Sequence, residues 1–310
     1  MKKIFLVLSA VVMTAISVSA QDLATATETF NNGAMELQMG NMEAALTNFQ
    51  SALEMAEALG EQGAEIATNC KGAIPQVMFS IAKGLIKDEN YEGALAQLDA
   101  TIAAANKYES ADVAAEAAEF IPQVYMQQGN TALKAKDMAT AVAAYTKVIE
   151  LEPANGNAML RLGQVYAATG KVDEAVAAFE QAAANGQEKT ANKQLSTLFL
   201  KKAQAAVKAK KFQEAVDFAA KSNSYIESAN AYRMAASAYQ QLNNTAECIA
   251  SYEKYLALNP NAKDATGVKY TIAALAQTAG NKEKAKEYYQ MILTDPQYGA
   301  TAKQMLEQLK

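Results

Sequence analysis

Apolar residues recur at every third or fourth position through most of the chain, which is the spacing of one buried face of an α-helix. Short polar segments interrupt this pattern seven times. They are rich in glycine, asparagine and aspartate, the residues that end one helix and cap the next. The seven breaks are Gly40-Asn41, Asn90, Asp137, Gly170-Lys171, Lys210-Lys211, Asn243-Asn244 and Gly280-Asn281. The pattern predicts an all-α chain of about seven helix pairs, each pair divided by one break.

A fixed register of small and aromatic residues accompanies the helix pairs. Small residues at the eighth and twentieth positions allow two helices to approach closely, and an aromatic residue at the twenty-fourth fills the space beside them. The unit from Gly156 is the most complete, and the unit from Pro122 precedes it by 34 residues. The residues of the Gly156 unit that carry the register are Met159, Leu162-Gly163, Tyr166, Ala175, Phe179 and Ala182.

This register resembles the tetratricopeptide repeat, which has the same pattern and a period of 34 residues. Seven units begin at about residues 26, 75, 122, 156, 196, 229 and 266, and a capping helix is expected at 297–310. Because one helix pair cannot bury its apolar face alone, the units are expected to stack into an α-solenoid over residues 21–310. The resemblance implies a protein-binding scaffold whose first helices line a concave groove for a peptide or a helix.

The string Ile-Pro-Gln-Val occurs at residues 74–77 and again at 121–124, an offset of 47. Apolar residues continue at helical spacing through Pro75 and Pro122 without a change of phase. We therefore favour one long helix bent at each proline, because the missing N–H bends a helix without removing its buried face. The alternative is two helices with the proline opening the second.

The N-terminal residues have the pattern of a secretory signal peptide. Lys2 and Lys3 precede an apolar run from Ile4 to Ile16, and small residues follow up to Ala20. An uncleaved membrane anchor is the alternative, but it would need about 20 apolar residues. Cleavage after Ala20 would leave Gln21 first, which excludes the cysteine-linked lipid of a lipoprotein. Residues 21–310 are thus expected to be soluble and exported to the periplasm of a Gram-negative bacterium, with no membrane span.

Composition narrows the possible chemistry. Without Lys2 and Lys3, the chain holds 26 basic and 33 acidic residues, so we expect no nucleic-acid partner. The chain contains no histidine, which excludes a Ser-His-Asp triad and imidazole metal ligands. We therefore expect no enzymatic activity, metal or cofactor, although chemistry by paired carboxylates stays formally open. Cys70 and Cys248 are too widely separated in the sequence to form a framework of closely spaced disulfides. They are expected to be buried thiols, and a single disulfide between them is the alternative.

The expected partner-binding residues follow from the resemblance, which places the groove on the first helices. The chain's only arginines fall on groove positions, where a guanidinium could bind a carboxylate, and amide side chains that could pair with a peptide backbone lie beside them. The residues are Asn130, Arg161, Gln164, Lys201, Gln204 and Arg233. Ordinary solvated helix faces are the alternative explanation. The lysine and asparagine clamp of chaperone-binding relatives is not expected, because only Asn130 falls on one of its positions.

Two functional hypotheses remain open at this point. In the first, the chain is an envelope scaffold that captures a protein or peptide partner in its groove. In the second, it is a structural subunit that assembles through its convex or end surfaces. Oligomerisation is compatible with both.

Overall fold

The computed structural model describes residues 18–310, and every regular element within them is helical. The expected signal peptide, residues 1–20, lies outside the described residues except for its last three positions. The chain divides into two compact units, an N-terminal unit that ends at Pro153 and a C-terminal unit, Ala154–Lys310. None of the helices in residues 18–310 combines the length and the hydropathy that a membrane crossing requires.

The N-terminal unit contains six α-helices. They are α1 Val18–Met39, α2 Met42–Ala58, α3 Ala64–Lys87, α4 Tyr91–Lys107, α5 Ala111–Lys134 and α6 Met138–Leu151. The C-terminal unit contains nine, which are α7 Gly156–Ala168, α8 Val172–Ala182, α9 Glu188–Lys208, α10 Phe212–Tyr225, α11 Ala229–Gln241, α12 Thr245–Leu258, α13 Ala265–Thr278, α14 Lys282–Gln290 and α15 Gly299–Gln308. The predicted fold class is confirmed, because α1 to α14 form seven antiparallel pairs and α15 packs on α14.

Each odd-numbered helix from α1 to α13 is called a first helix below, and each even-numbered one a second helix. Within each unit, a second helix packs against the first helix of the next pair, as in an α-solenoid. The cores are made of small and aromatic residues in the predicted register. Phe49, Tyr145, Phe179 and Tyr289 are all almost fully buried.

The seven polar breaks fold into one and the same turn. In each turn, the residue before the N-cap of the second helix has a positive φ. The N–H of the N-cap residue donates a hydrogen bond to the carbonyl five residues earlier, so a carbonyl at the end of the first helix gains a partner. In the α5–α6 turn, for example, Lys136 has φ 63° and Asp137 N bonds to Ala132 O at 2.8 Å. Asp137 Oδ1 then accepts from the Thr140 N–H at 3.1 Å and caps α6.

The two proline strings lie inside continuous helices. Pro75 is within α3 and Pro122 within α5; both prolines are buried, and both helices are 24 residues long. The prediction of one helix through each proline is confirmed, and the bend stays a prediction. Each buried stripe continues past its proline, from Ile66 to Ile86 in α3 and from Val113 to Ala132 in α5.

Both cysteines are free, buried thiols, as the sequence predicted. Burial disfavours the thiolate, and it raises the pKa of Cys70 to about 12 and the pKa of Cys248 to about 11. Each thiol therefore fills a small-residue position of the helix packing and is unreactive in the folded state.

Candidate functional site

The first helices lie on the inner side of each unit. Neighbouring first helices contact each other directly, α1 with α3 and α3 with α5 in the N-terminal unit, and α7 with α9 and α9 with α11 in the C-terminal unit. No two second helices among residues 18–310 come as close to each other. A stack of pairs that is closer on one side curves toward that side, so the first helices line the concave face of each unit.

On α7, the structure places Arg161 and Gln164 side by side. The Arg161 Nη1 donates to Gln164 Oε1 at 3.3 Å, one helical turn away. Arg161 is exposed, and within residues 18–310 it forms no ion pair. Its guanidinium therefore keeps most of its donors free for a ligand.

On α11, Arg233 is engaged by an acidic residue that the sequence analysis did not identify. Arg233 Nη2 lies 3.1 Å from Oδ2 of Asp264, the residue just before α13. The Arg233 side chain is 57% exposed. Tyr255 Oη on α12 donates to the other oxygen of Asp264 at 2.5 Å, and the guanidinium carbon lies 5.9 Å from the centre of the Tyr255 ring. Burial raises the pKa of Tyr255, and its bond to the Asp264 carboxylate raises it further. Asp264 thus holds Arg233 in place. A ligand carboxylate would bind to the Arg233 guanidinium alongside the Asp264 carboxylate.

A cavity of about 250 Å³ opens between α9 and α11 in the C-terminal unit. Val207 and Met234 supply apolar side chains to it, and the polar groups around them include an amide, a hydroxyl and a guanidinium. Its lining residues are Gln204, Val207, Asn230, Arg233, Met234 and Ser237. The structure therefore brings two of the predicted binding residues, Gln204 and Arg233, to one cavity. Lys201 is exposed on the same helix as Gln204, one turn earlier.

Asn130 lies in the N-terminal unit, on α5, and its side chain has a partner there. Its Oδ1 accepts a hydrogen bond from Tyr145 Oη at 2.9 Å, and the residue is half-buried. Tyr145 is the aromatic residue of the repeat register, so this bond ties α5 to α6. Asn130 therefore has a structural role in its own pair, and its part in partner binding stays a prediction.

Sequence reasoning missed Asp264, Tyr255 and the apolar pair Val207 and Met234. Asp264 lies in a connection between pairs, where the repeat register assigns no role. Val207 and Met234 could have been found, because Val207 is one helical turn from Gln204 and Met234 directly follows Arg233. Within residues 18–310, no group of three or more His, Cys, Asp or Glu side chains is arranged to hold a metal ion.

Comparisons with known proteins agree with the repeat pattern. Models described as tetratricopeptide repeat match residues 126–189 and 229–262. No curated protein sequence matches the chain. Among solved structures, the chain is similar to MamA protein, with 20% identity and a TM-score of 0.35 over 59% of this chain and 96% of that chain.

Two further solved structures show similar values. MamA 41-end from Desulfovibrio magneticus RS-1 is 14% identical, with a TM-score of 0.33 over 60% of this chain and 95% of that chain. YrrB, described as a TPR protein with an unusual peptide-binding site, is 20% identical, with a TM-score of 0.31 over 58% of this chain and 91% of that chain. From the two matching models, the chain carries tetratricopeptide repeats over residues 126–189 and 229–262.

Proposed function

We propose that this chain is a non-enzymatic protein-binding scaffold of the bacterial envelope, which captures a peptide or protein segment on the concave face of its C-terminal unit. Tetratricopeptide repeats act in general as scaffolds for protein and peptide partners. The observation that carries the proposal is the cavity between α9 and α11, where Gln204 and Arg233 surround the apolar surface of Val207 and Met234. An apolar side chain of the partner fits this cavity, and polar groups at its rim fix the direction of the bound segment.

The polar side chains on this face suit an extended peptide. Amide side chains such as Gln164, Gln204 and Asn230 offer both a donor and an acceptor, which is what a peptide backbone presents. Arg161 and Arg233 add charged donors at the two sides of α9. The tyrosines of the repeats, in contrast, are mostly occupied in packing the helix pairs.

Capture of partner proteins from envelope extract by the purified mature protein tests whether the groove is the binding site. Immobilised wild-type protein is incubated with envelope extract, and the bound proteins are identified by mass spectrometry against the Arg161→Ala/Arg233→Ala variant. A partner that is retained by the wild type and lost from this variant supports the proposal. Lys254→Ala/Lys282→Ala is the matched control, because it removes two exposed charges from second helices of the same unit. If the arginine variant retains its partner as well as the wild type does, the groove is not the binding site.

The envelope location is proposed from the signal-peptide pattern alone. It predicts that the protein is released with the periplasmic fraction and that its first residue is Gln21. Osmotic-shock fractionation followed by N-terminal sequencing checks both points. An intact Met1 in the membrane pellet would contradict them.

A structural subunit that assembles through its end repeats is the second candidate. The observation that favours it is α1, the helix at the end of the N-terminal unit, where Met35 is 53% exposed and Met39 is 59% exposed. The two methionines lie one helical turn apart, and adjacent exposed apolar side chains can form the patch that an interface requires. If Met35→Glu/Met39→Glu abolishes partner capture while the arginine variant does not, the end surface replaces the groove as the binding site.

A further inference from the structure

We infer that the segment bound by the C-terminal unit is acidic, and that a row of lysines on α9 selects it. This inference rests on the proposed function, and it adds the chemical class of the partner. The distribution of charge between the two helix layers of this unit supports it.

The first helices of the C-terminal unit are basic and its second helices are acidic. Together α7, α9, α11 and α13 carry eight lysine or arginine residues and a single acidic residue, Glu188. The second helices α8, α10, α12 and α14 carry nine acidic and five basic residues. The N-terminal unit shows no such separation, because its first helices hold seven acidic and four basic residues. Among the helices of the C-terminal unit, the excess of positive charge is therefore carried by the first helices, which line its concave face.

Four of the basic residues form one row on α9. Lys189, Lys193, Lys201 and Lys208 are all exposed. At 3.6 residues per turn they fall within an arc of about 120° and extend over about 28 Å of helix. Gln204, which lines the cavity, lies within the same arc. The row and the cavity thus belong to one continuous surface.

These lysines have no partner inside the described chain. Within residues 18–310, none of the four forms an ion pair or lies over an aromatic ring. The contrast is with Lys83 in the N-terminal unit, whose Nζ lies 3.4 Å from Glu116 and 3.6 Å from the centre of the Phe79 ring. Like charges that face the same solvent repel one another, and a bound anionic segment removes that repulsion.

Helix stability does not explain the whole row. A lysine in the last turn of a helix, such as Lys208, interacts favourably with the helix dipole. Lys189 is the second residue of α9, where a positive charge opposes the dipole. Its position is therefore unfavourable for the isolated helix and favourable for a negatively charged ligand.

An acidic protein segment fits the surface better than a nucleic acid. Residues 21–310 hold 26 basic and 33 acidic residues, and this net negative charge disfavours binding of a long polyanion. The lysine row also contains no aromatic side chain on which a base could stack. A short acidic peptide needs only the local positive face, with an aliphatic side chain over Val207 and Met234.

Fluorescence anisotropy with the mature protein tests this inference. The probe is a labelled twelve-residue peptide in which aspartate and glutamate alternate with leucine and glycine, and the comparison peptide replaces the acids by asparagine and glutamine. We expect the acidic peptide to bind at least about tenfold more tightly than the amide peptide at 50 mM NaCl, because several exposed charge pairs add up. We expect this difference to shrink at 300 mM NaCl, where the charges are screened.

Two charge-reversal variants locate the binding. Lys193→Glu/Lys201→Glu should weaken binding of the acidic peptide by about tenfold or more, because two attractions become two repulsions. Lys254→Glu/Lys282→Glu changes the net charge by the same amount on the second helices and should leave binding unchanged. Equal weakening by both variants would show that only the overall charge matters, and it would overturn the inference.

The remaining outcomes separate this inference from the proposed function. If the amide peptide binds as tightly as the acidic one, the face binds peptides without selecting charge, and only the inference fails. If neither peptide binds, the inference also fails, and the arginine-dependent capture from envelope extract decides the proposed function by itself. A twelve-residue oligothymidylate that binds more tightly than the acidic peptide, and that is weakened by Lys193→Glu/Lys201→Glu, would replace the acidic partner by a nucleic acid.

Discussion

Arg233 on α11 is paired with Asp264 just before α13, with Nη2 and Oδ2 3.1 Å apart. Tyr255 holds the other oxygen of the same carboxylate. The pair joins two neighbouring repeats at the edge of the cavity between α9 and α11. Because Asp264 neutralises part of the charge of Arg233, it weakens the attraction of this side of the cavity for an acidic ligand.

Replacing Asp264 by asparagine should strengthen binding of the acidic probe peptide. The amide oxygen can still accept the hydrogen bond from Tyr255, whereas the negative charge is removed. We expect an increase in affinity of about threefold, as one exposed charge pair would give. Anisotropy titration measures it, with Asp99→Asn on α4 as the control for the same change of charge in the N-terminal unit. Weaker binding by Asp264→Asn would mean that Asp264 serves chiefly to position Arg233.

Gly163 on α7 packs directly against the ring of Phe179 on α8. A Cβ at this glycine would lie 2.7 Å from both Cδ1 and Cε1 of the ring, which is almost completely buried. Gly163→Ala should therefore lower the free energy of unfolding by about 1–3 kcal/mol, because the helices must move apart. Urea denaturation followed by circular dichroism measures the change.

Gly72 on α3 provides the matched control for this prediction. It is exposed, and a Cβ built on it meets no atom within 4 Å. Gly72→Ala should raise the free energy of unfolding by about 0.5–1 kcal/mol, because alanine restricts the unfolded chain and favours the helix. If the two alanine variants shift the urea midpoint in the same direction, close packing at Gly163 is not what the repeat register requires.

The sequence was sufficient to predict contacts that every repeat makes in the same way. The approach of Gly163 to Phe179 and the seven turns are of this kind, since small, aromatic and capping residues recur at fixed distances. Contacts that belong to one place only could not be predicted. Asp264 reaches Arg233 from a connection outside the register, and the bond between Asn130 and Tyr145 depends on side-chain orientation.

The start of α9 shows the same limit. The repeat register begins the fifth unit at Ser196, whereas α9 begins at Glu188, because the chain reverses at Gly186 with φ 82°. This early start adds Lys189 and Lys193 to the exposed row. A glycine turn in an alanine-rich segment gives no periodic signal, so the length of α9 was not predictable from the pattern of apolar residues.

Lys136 occupies the left-handed position of the α5–α6 turn, with φ 63°. The equivalent residue of the next repeat is Gly170, with φ 77°, and glycine adopts this conformation without steric cost. Lys136→Gly should therefore raise the free energy of unfolding by up to about 1 kcal/mol. Gly170→Lys should lower it by a similar amount, and urea denaturation of both variants checks the pair. A loss of stability in Lys136→Gly would show that the lysine side chain contributes more than the backbone strain costs.

Tyr225 at the end of α10 donates to Glu180 on α8 at 2.7 Å, while its ring stacks on Phe199. Burial raises the pKa of Tyr225 from 10 to about 12, with further contributions from the hydrogen bond and the charge of Glu180. The neutral Tyr225 hydroxyl therefore stabilises the folded state fully below pH 10, and this stabilisation is lost as the pH rises toward 12. At pH 11 the loss in the free energy of unfolding is about 1 kcal/mol, after allowance for solvent screening. Tyr225→Phe keeps the stacking and removes the ionisable group, so its unfolding free energy should fall less between pH 9 and 11. Urea titrations at pH 9 and pH 11 measure this difference in unfolding free energy. For Glu180→Gln, the loss between the two pH values should lie between those of the wild type and Tyr225→Phe. An equal loss in Tyr225→Phe and the wild type would place the alkaline sensitivity in other residues.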